Sequence, residues 1–250
     1  MHDRRRKRSS GCTSRADVVQ ETHEQRRASL FQHSVVAPLR MTIDPSLRAV
    51  CDALAFPGVM VAHRLISPGD EHALLRDEAP AFASSVLKVQ RASGAARIVA
   101  RQLLARLGHP QWPILRAASG APVWPAGVVG SLAHDARAAV ATVGLARDIG
   151  ALGIDIEPAE RLPPDLLDVV ATRQERLKIA DDPFQGRLLF AAKEAVYKAV
   201  YPLDGTFLDH GDVQVDLAER KAFVRNGRVV NIRFSISTHL VVLAFLAGAR

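Results

Sequence analysis

Two carboxylates alternate with isoleucines in "GIDIEP", residues 153–158. If this stretch is a strand, Asp155 and Glu157 share one face, with Cα atoms about 6–7 Å apart. Burying two unpaired carboxylates side by side costs free energy, so a partner must neutralise them. Mg²⁺, held by carboxylates and substrate phosphates, is one such partner. Taken alone, the motif is explained more simply by a solvated edge strand or by arginine partners.

A second acid stands in "AAKEAVYKA", residues 191–199. Glu194 and Lys198 are four residues apart, so on a helix they share a face, and Lys193 directly precedes Glu194. One interpretation is an ordinary salt bridge on a helix surface. The other is a third metal carboxylate, with lysines beside it that bind phosphate.

Two further motifs carry groups that bind anions. In "GSLAHD", residues 130–135, the backbone N–H groups near Ser131 could meet an anion, and His134 could donate to a phosphate or a base. Arg97 and Arg101 lie four residues apart on a predicted helix. They form either a solvated basic face or a phosphate clamp. Together with the carboxylates and lysines, these groups suit a metal-bound substrate with several phosphates, and hence phosphoryl or nucleotide chemistry.

The elements that must position these residues belong to the α+β class. The hydrophobic patterns predict a strand at 59–66, helices at 71–90 and 95–108, and a Pro/Gly-rich loop at 109–135 that contains a short strand, "WPILRA". Further along they predict strands at 136–144 and 151–157, helical segments at 162–180 and 183–202, and a strand meander from 212, with a hairpin turn at "RNGR".

The composition excludes several classes of protein. The chain has 250 residues and a net charge of +7, and residues 1–40 carry nine Lys/Arg against four acids. We expect this basic leader to be disordered; it could bind nucleic acid, although 5% aromatic residues offer few platforms for base stacking. No apolar run approaches the length of a membrane span. The two cysteines lack metal-binding spacing, which favours a reducing, cytoplasmic location.

Three blocks in order give the pattern a family resemblance. "GAPVWPAGVVGSLAHD", "LGIDIEP" and "LLFAAKEAVYKA" resemble the signature blocks of the 4′-phosphopantetheinyl transferases, most closely the monomeric branch with the surfactin- and enterobactin-associated enzymes. The resemblance covers roughly residues 58–250. It implies transfer of the phosphopantetheine arm of coenzyme A to a serine of an apo acyl or peptidyl carrier protein, with release of 3′,5′-ADP. Such carriers serve polyketide, nonribosomal peptide and siderophore biosynthesis.

The resemblance also implies roles for individual residues. Asp155, Glu157 and Glu194 would hold Mg²⁺ on the pyrophosphate, and Lys198 would contact the phosphates, with Lys193 beside it. Ser131 and His134 would contact the nucleotide end of coenzyme A. Glu194 or a metal-bound water would be the base. Arg97 matches the arginine expected at the 3′-phosphate, although "ASGAA" replaces the Glu-Phe that often precedes it, and Lys88 or Arg101 could substitute.

The family fold implied by the resemblance has two similar α/β halves with the active site in the cleft between them. We place the halves at residues 41–148 and 149–250, after the leader at 1–40, and expect a monomer because both halves belong to one chain. An acidic, helical carrier protein is the implied partner. Two alternatives remain open: a transferase-like protein that binds coenzyme A without transferring it, and a nucleic-acid-binding protein that uses the basic N-terminus.

Overall fold

The computed structural model describes residues 43–179 and 182–248. The predicted leader at 1–40 lies outside these residues. None of the described helices combines the length and the apolar character needed to cross a membrane. Contacts group residues 41–250 into one compact unit.

Helices and antiparallel strands alternate along the described chain. The α-helices are α1 (Pro45–Leu54), α2 (Leu87–Arg106), α3 (Pro164–Val170), α4 (Arg173–Lys178) and α5 (Gln185–Asp204). The strands are β1 (Val59–Leu65), β2 (Val128–His134), β3 (Ala138–Leu145), β4 (Ile149–Pro158), β5 (Val213–Asp216), β6 (Lys221–Val224), β7 (Val229–Ile236) and β8 (His239–Ala247). Short 3₁₀ turns occupy Asp70–Ala73, Ala79–Phe82 and His210–Asp212.

The first sheet has three strands in the order β1-β3-β2, and the 20-residue helix α2 packs against it. Its central strand β3 consists almost entirely of small and β-branched residues and is buried along seven of its eight positions. Both faces of β3 are covered, because Ala141 and Val143 contact α2 while Ala138 and Val140 belong to a core shared with the second sheet. A strand buried on both faces needs such a continuous apolar sequence.

The second sheet has five strands in the order β4-β8-β7-β6-β5, and the 20-residue helix α5 packs against it. Alternation along β4 divides its side chains between two cores. Leu152, Ile154 and Ile156 pack toward the first sheet, whereas Ala151 packs in the core of α5. Because side chains on a strand alternate with period two, Asp155 is directed to the α5 side.

A glycine allows β4 and α5 to touch through their backbones. A Cβ atom added at Gly153 would lie 1.9 Å from the carbonyl oxygen of Ala195 and 2.7 Å from the backbone nitrogen of Ala199. Glycine is the residue that permits such a close approach. The contact brings Asp155, two residues along the strand, next to the helix turn that carries Glu194 and Lys198.

The α+β class is confirmed, and each sheet carries one long helix. The predicted helix at 71–90 is wrong over most of its length. Only its last four residues begin α2, and the rest forms two short 3₁₀ turns joined by irregular chain. Side chains explain this difference, since Asp70 accepts from the backbone N–H of Ser67 and Glu78 accepts from that of Leu75. Such bonds compete with the helical pattern.

Two further differences concern the predicted loop at 109–135. Its last part is strand β2, so "GSLAH" belongs to the first sheet. The predicted strand "WPILRA" is reduced to an isolated bridge between Arg116 and Pro122. The predicted boundary between residues 148 and 149 stays a prediction. The two sheets separate near it, but they share an apolar core.

We expect Gly153→Ala to lower the free energy of unfolding by about 3 kcal/mol, because the new methyl group would force β4 away from α5. Urea denaturation of the purified variant measures this change. Gly211→Ala is the matched control, since no atom lies within 4 Å of its added Cβ. Equal stabilities of the two variants would contradict the close contact.

Candidate active site

A cleft of about 590 Å³ lies between the two sheets. We use "the cleft" for this cavity, whose walls come from β2, the start of β4, helix α5 and the segment 116–124. Its volume is typical of sites for small molecules and cofactors. The charged residues that line it, within the described chain, are Arg116, Glu194 and Lys198.

Asp155, beside this cleft, is the acid whose pKa is raised the most among the described residues. Its side chain is buried, and Oδ1 accepts a 2.6 Å hydrogen bond from Lys198 Nζ. Oδ2 is buried as well, and no hydrogen-bond partner is found for it among the described residues. Burial raises the pKa of Asp155 to about 6. The charges of Glu157 and Glu194 act in the same direction, whereas Lys198 opposes the shift. A buried carboxylate oxygen without a partner indicates a site for a cation or another donor.

Glu157 lies on the same face of β4 and is half-buried. Its Oε2 accepts a 3.0 Å hydrogen bond from Nη1 of Arg187, on the first turn of α5. Burial raises the pKa of Glu157, and Arg187 opposes the shift. The simpler interpretation of "DIE", in which basic side chains pair with the acids, is therefore partly confirmed. Lys198 pairs with Asp155, and Arg187 pairs with Glu157. Arg187 is a neighbour of the site that the sequence reasoning missed.

The structure brings Glu157 and Glu194 within electrostatic reach of Asp155, since the charges of both glutamates raise the pKa of Asp155. It does not bring the three carboxylates together as a complete set of metal ligands. Among the described residues, no three His, Cys, Asp or Glu side chains form a group that could already hold a metal ion. The oxygen donors and the unpartnered Asp155 Oδ2 nevertheless fit a hard cation such as Mg²⁺. The predicted ligand set stays a prediction.

Ser131 and His134 come from β2 on the opposite side. Ser131 is buried and lines the cleft beside Gly130. A Cβ at Gly130 would lie 2.8 Å from the Trp124 ring, so this glycine lets the tryptophan close over the strand. His134 ends β2; desolvation lowers its pKa, and the nearby Lys198 charge acts in the same direction. The imidazole is therefore neutral at pH 7, able to donate from one nitrogen and accept at the other.

Lys193 does not join these residues, which corrects its predicted place beside the phosphates. Its side chain is fully buried, and Nζ donates to the carbonyl oxygens of Val170 and His210 and to Oε2 of Glu175, at 2.7–2.8 Å. Three acceptors use all three ammonium donors. One residue corresponds to about 100° around a helix, which turns Lys193 away from the Glu194 side.

Arg97 is also placed differently from the prediction. It is buried, and its Nε and Nη1 donate to the carbonyl oxygens of Ile114 and Ser93. Arg101 is paired with Glu78 at 2.8 Å, and Lys88 is exposed on the first turn of α2. The structure places none of these three basic residues among those that line the cleft. Arg97 and Arg101, the predicted phosphate clamp, thus belong to an internal network of hydrogen bonds.

Arg116 is the basic residue that this half contributes to the cleft, and the sequence reasoning missed it. Gly120 faces its guanidinium group, since an added Cβ would lie 3.4 Å from Nη2. Gly120 also has a φ of +90°, which favours glycine. The sequence signal that could have identified Arg116 is its position just before a Gly-containing turn.

Acidic and basic groups lie around one cleft, a combination suited to a ligand that carries phosphates. A family model described as "4'-phosphopantetheinyl transferase N-terminal domain" matches residues 77–144, and one described as "4'-phosphopantetheinyl transferase superfamily" matches residues 151–244. The chain belongs to the 4′-phosphopantetheinyl transferase superfamily, as its sequence blocks predicted.

Individual relatives agree with this assignment. The chain is 41% identical to the 4′-phosphopantetheinyl transferase Svp of Streptomyces mobaraensis over 60% of its own length and 63% of Svp. It is 37% identical to the 4′-phosphopantetheinyl transferase PptT of Mycobacterium tuberculosis, over 70% of this chain and 78% of PptT. Enterobactin synthase component D of Salmonella typhimurium is 36% identical over 31% of this chain and 34% of that protein.

A solved structure was also matched. It is the holo-[acyl-carrier-protein] synthase of Thermotoga maritima, with a TM-score of 0.32 and 21% identity, over 41% of this chain and 65% of that one.

We expect Asp155→Asn to stabilise the metal-free protein at pH 8. A folded-state pKa raised to about 6 means that folding favours the protonated acid. The associated stability is present below the unfolded pKa and is lost as pH rises through about 6. Removing the charge should therefore add about 1–2 kcal/mol to the free energy of unfolding at pH 8, less the lost pairing with Lys198.

Urea denaturation in a chelator at pH 8 and at pH 4 measures this effect, and the gain should vanish at the lower pH. Asp52→Asn is the control, because Asp52 is exposed and pairs with Arg48 on the surface of α1. It should change the stability by less than about 0.5 kcal/mol at either pH. A loss of stability in Asp155→Asn at pH 8 would contradict the prediction, because the pairing with Lys198 would then outweigh the cost of burying the charge.

Proposed function

We propose that this protein transfers the 4′-phosphopantetheine arm of coenzyme A to a serine of an apo acyl or peptidyl carrier protein and releases 3′,5′-ADP. The observation that carries the proposal is the buried, unpartnered Oδ2 of Asp155, beside Lys198 and near Glu194. A buried carboxylate oxygen without a hydrogen-bond partner lowers the stability of a fold, and acids with a perturbed pKa cluster at functional sites. Membership of the superfamily supports the same reaction.

The donor set fits a divalent cation. Asp155, Glu157 and Glu194 would hold Mg²⁺, which suits carboxylate oxygens together with substrate phosphates. When bound, the ion would neutralise charge on the pyrophosphate. The magnesium requirement is part of this proposal.

Basic side chains on both walls would bind the phosphates. Lys198 is about one-third exposed, so its ammonium group can reach a ligand in the cleft while it stays close to Asp155. Arg116 faces the cleft from the first half and would bind a second phosphate of coenzyme A. Ser131 and neutral His134 would contact the nucleotide end.

The transfer joins the serine oxygen of the carrier to the phosphorus that bears pantetheine. The bond from that phosphorus to the bridging oxygen breaks, and the electron pair leaves with 3′,5′-ADP. The serine proton must be removed, and Glu194 is the carboxylate that lines the cleft. Lys198, fixed by Asp155, would stabilise the negative charge on the leaving phosphate.

The partners follow from this reaction. Coenzyme A would occupy the cleft, and an apo carrier protein would present its serine at the open side. We propose that the enzyme acts as a monomer, because residues of a single chain supply both walls of the cleft. We also propose a cytoplasmic location, consistent with the free thiol of Cys51.

The reaction can be tested directly by intact-mass spectrometry. Wild-type protein with coenzyme A, Mg²⁺ and a panel of apo acyl and peptidyl carriers should add one phosphopantetheine to at least one carrier. Asp155→Ala and Glu194→Gln should reduce the rate by about 10²-fold or more. Glu160→Gln, a change of an exposed acid after β4, is the matched control and should keep the activity. No mass gain on any carrier would reject the proposed function.

Cation binding can be tested without turnover. Because a ligand that binds the folded state stabilises it, Mg²⁺ at about a hundred times its Kd should add about 2.7 kcal/mol. We expect thermal unfolding of the wild type to shift upward with Mg²⁺, whereas Asp155→Ala should show no shift. The Glu160→Gln control should respond like the wild type. An equal shift in Asp155→Ala would place the cation elsewhere.

A further inference from the structure

The buried carboxylate of Glu78, in the segment before α2, connects three separate segments of the chain. Glu78 is 1% exposed. Its Oε1 accepts from Nη1 of Arg101 at 2.8 Å and from the backbone N–H of Ile114 at 2.7 Å. Its Oε2 accepts from the backbone N–H of Leu75 at 2.8 Å. Glu78 thus connects the turn before it, helix α2 and the chain that follows α2.

Ile114 is held on both sides of its peptide unit. Glu78 accepts from its N–H, and Nε of Arg97 donates to its carbonyl oxygen at 3.0 Å. The Ile114 side chain is fully buried in the core of the first sheet. The polar atoms of this residue are therefore fixed by side chains of the network instead of a sheet ladder.

Arg116 follows two residues later and enters the cleft. Its segment belongs to neither sheet, and its pairing with Pro122 is an isolated bridge. Arg116 is exposed, so no deep burial of its own side chain sets its position. Leu115 and Ala117, on either side of Arg116, hydrogen-bond to Val123 and Ala121, so Arg116 belongs to a small hairpin. Ile114 attaches this hairpin to the core, and that attachment depends on Glu78.

We propose that Glu78 is a positioning residue for coenzyme A, acting through Ile114 on the placement of Arg116. This inference rests on the proposed function, because it assigns Arg116 a phosphate of coenzyme A. Glu78 itself lies outside the cleft and is not a catalytic residue. A preorganised guanidinium group loses less conformational freedom on binding than a mobile one, which favours tighter binding. The anchor therefore acts on affinity and leaves the chemical step unaffected.

The test is a double-mutant cycle with Glu78→Gln and Arg116→Ala. Glutamine keeps the shape of Glu78 but weakens its charge-assisted hydrogen bonds. We expect Glu78→Gln to raise the KM and the calorimetric Kd for coenzyme A on the order of three- to tenfold, with kcat within about twofold. Arg116→Ala should raise both constants as well. The double variant should bind no more weakly than Arg116→Ala alone, because both changes remove the same contribution.

Asp70→Asn is the matched control for a purely structural effect. Asp70 is fully buried and pairs with Arg64 at 2.7 Å, also beside α2, but it makes no contact with Ile114. This variant should lower the unfolding temperature and leave the KM for coenzyme A unchanged. If Glu78→Gln does not fold, Glu78→Asp carries the same test, since its shorter side chain keeps the charge but cannot reach every partner.

The outcomes separate the two proposals. A wild type that neither binds nor transfers coenzyme A would reject the proposed function. A wild type that does both, with an unchanged KM in the Glu78 variant, would reject the positioning role. Additive losses in the double variant would also reject it, because Glu78 would then act independently of Arg116. A raised KM that disappears in the Arg116→Ala background supports the inference.

Discussion

The backbone contact between β4 and α5 at Gly153 determines how the rest of the molecule is arranged. Because no side chain separates the strand from the helix, the acids that follow Gly153 lie against the turn that carries Glu194 and Lys198. The opposite face of β4 meanwhile packs into the core shared with the first sheet. One strand therefore joins the two sheets and places its acids next to Lys198, which lines the cleft. Its sequence, apolar on one face and small or acidic on the other, meets both requirements.

Buried charge is handled in two different ways in this fold. Lys193 with Glu175, and Glu78 with Arg101 and Ile114, are internal networks in which the charged groups meet several partners. Such networks avoid the cost of an unpaired buried charge. Asp155 is different, because one of its oxygens has no partner within the described part of the chain. The contrast separates charges that hold the scaffold together from a charge that is available to a ligand.

The principal site residues were predictable because local periodicity determines their faces. Period two on β4 and the four-residue spacing on α5 determine the faces on which Asp155, Glu194 and Lys198 lie, whereas their role as ligands stays a prediction that rests on the family resemblance. Lys193 was misplaced because its proximity to Glu194 in sequence was given more weight than direction around the helix. Arg97 was assigned from the family resemblance, and no local pattern shows that its side chain is buried. Strand β2 was hidden because it ends a Pro/Gly-rich stretch, and its pairing with β3 stabilises it. Arg116 precedes a Gly-containing turn, which is a local signal, but its place at the cleft depends on β2 and α5, which are distant from one another in sequence.

The core shared by the two sheets limits how ligands can enter and leave the cleft. Ile154 and Ile156 of β4 pack in one cluster with Val140 of β3 and Leu47 of α1. Separating the sheets would expose these side chains to water, at a cost of about 1.5–3 kcal/mol for each large one. Hinge opening along this seam is therefore expensive. Ligands must enter and leave through the open side of a nearly rigid groove, and adaptation to different carriers falls to the surface around its mouth.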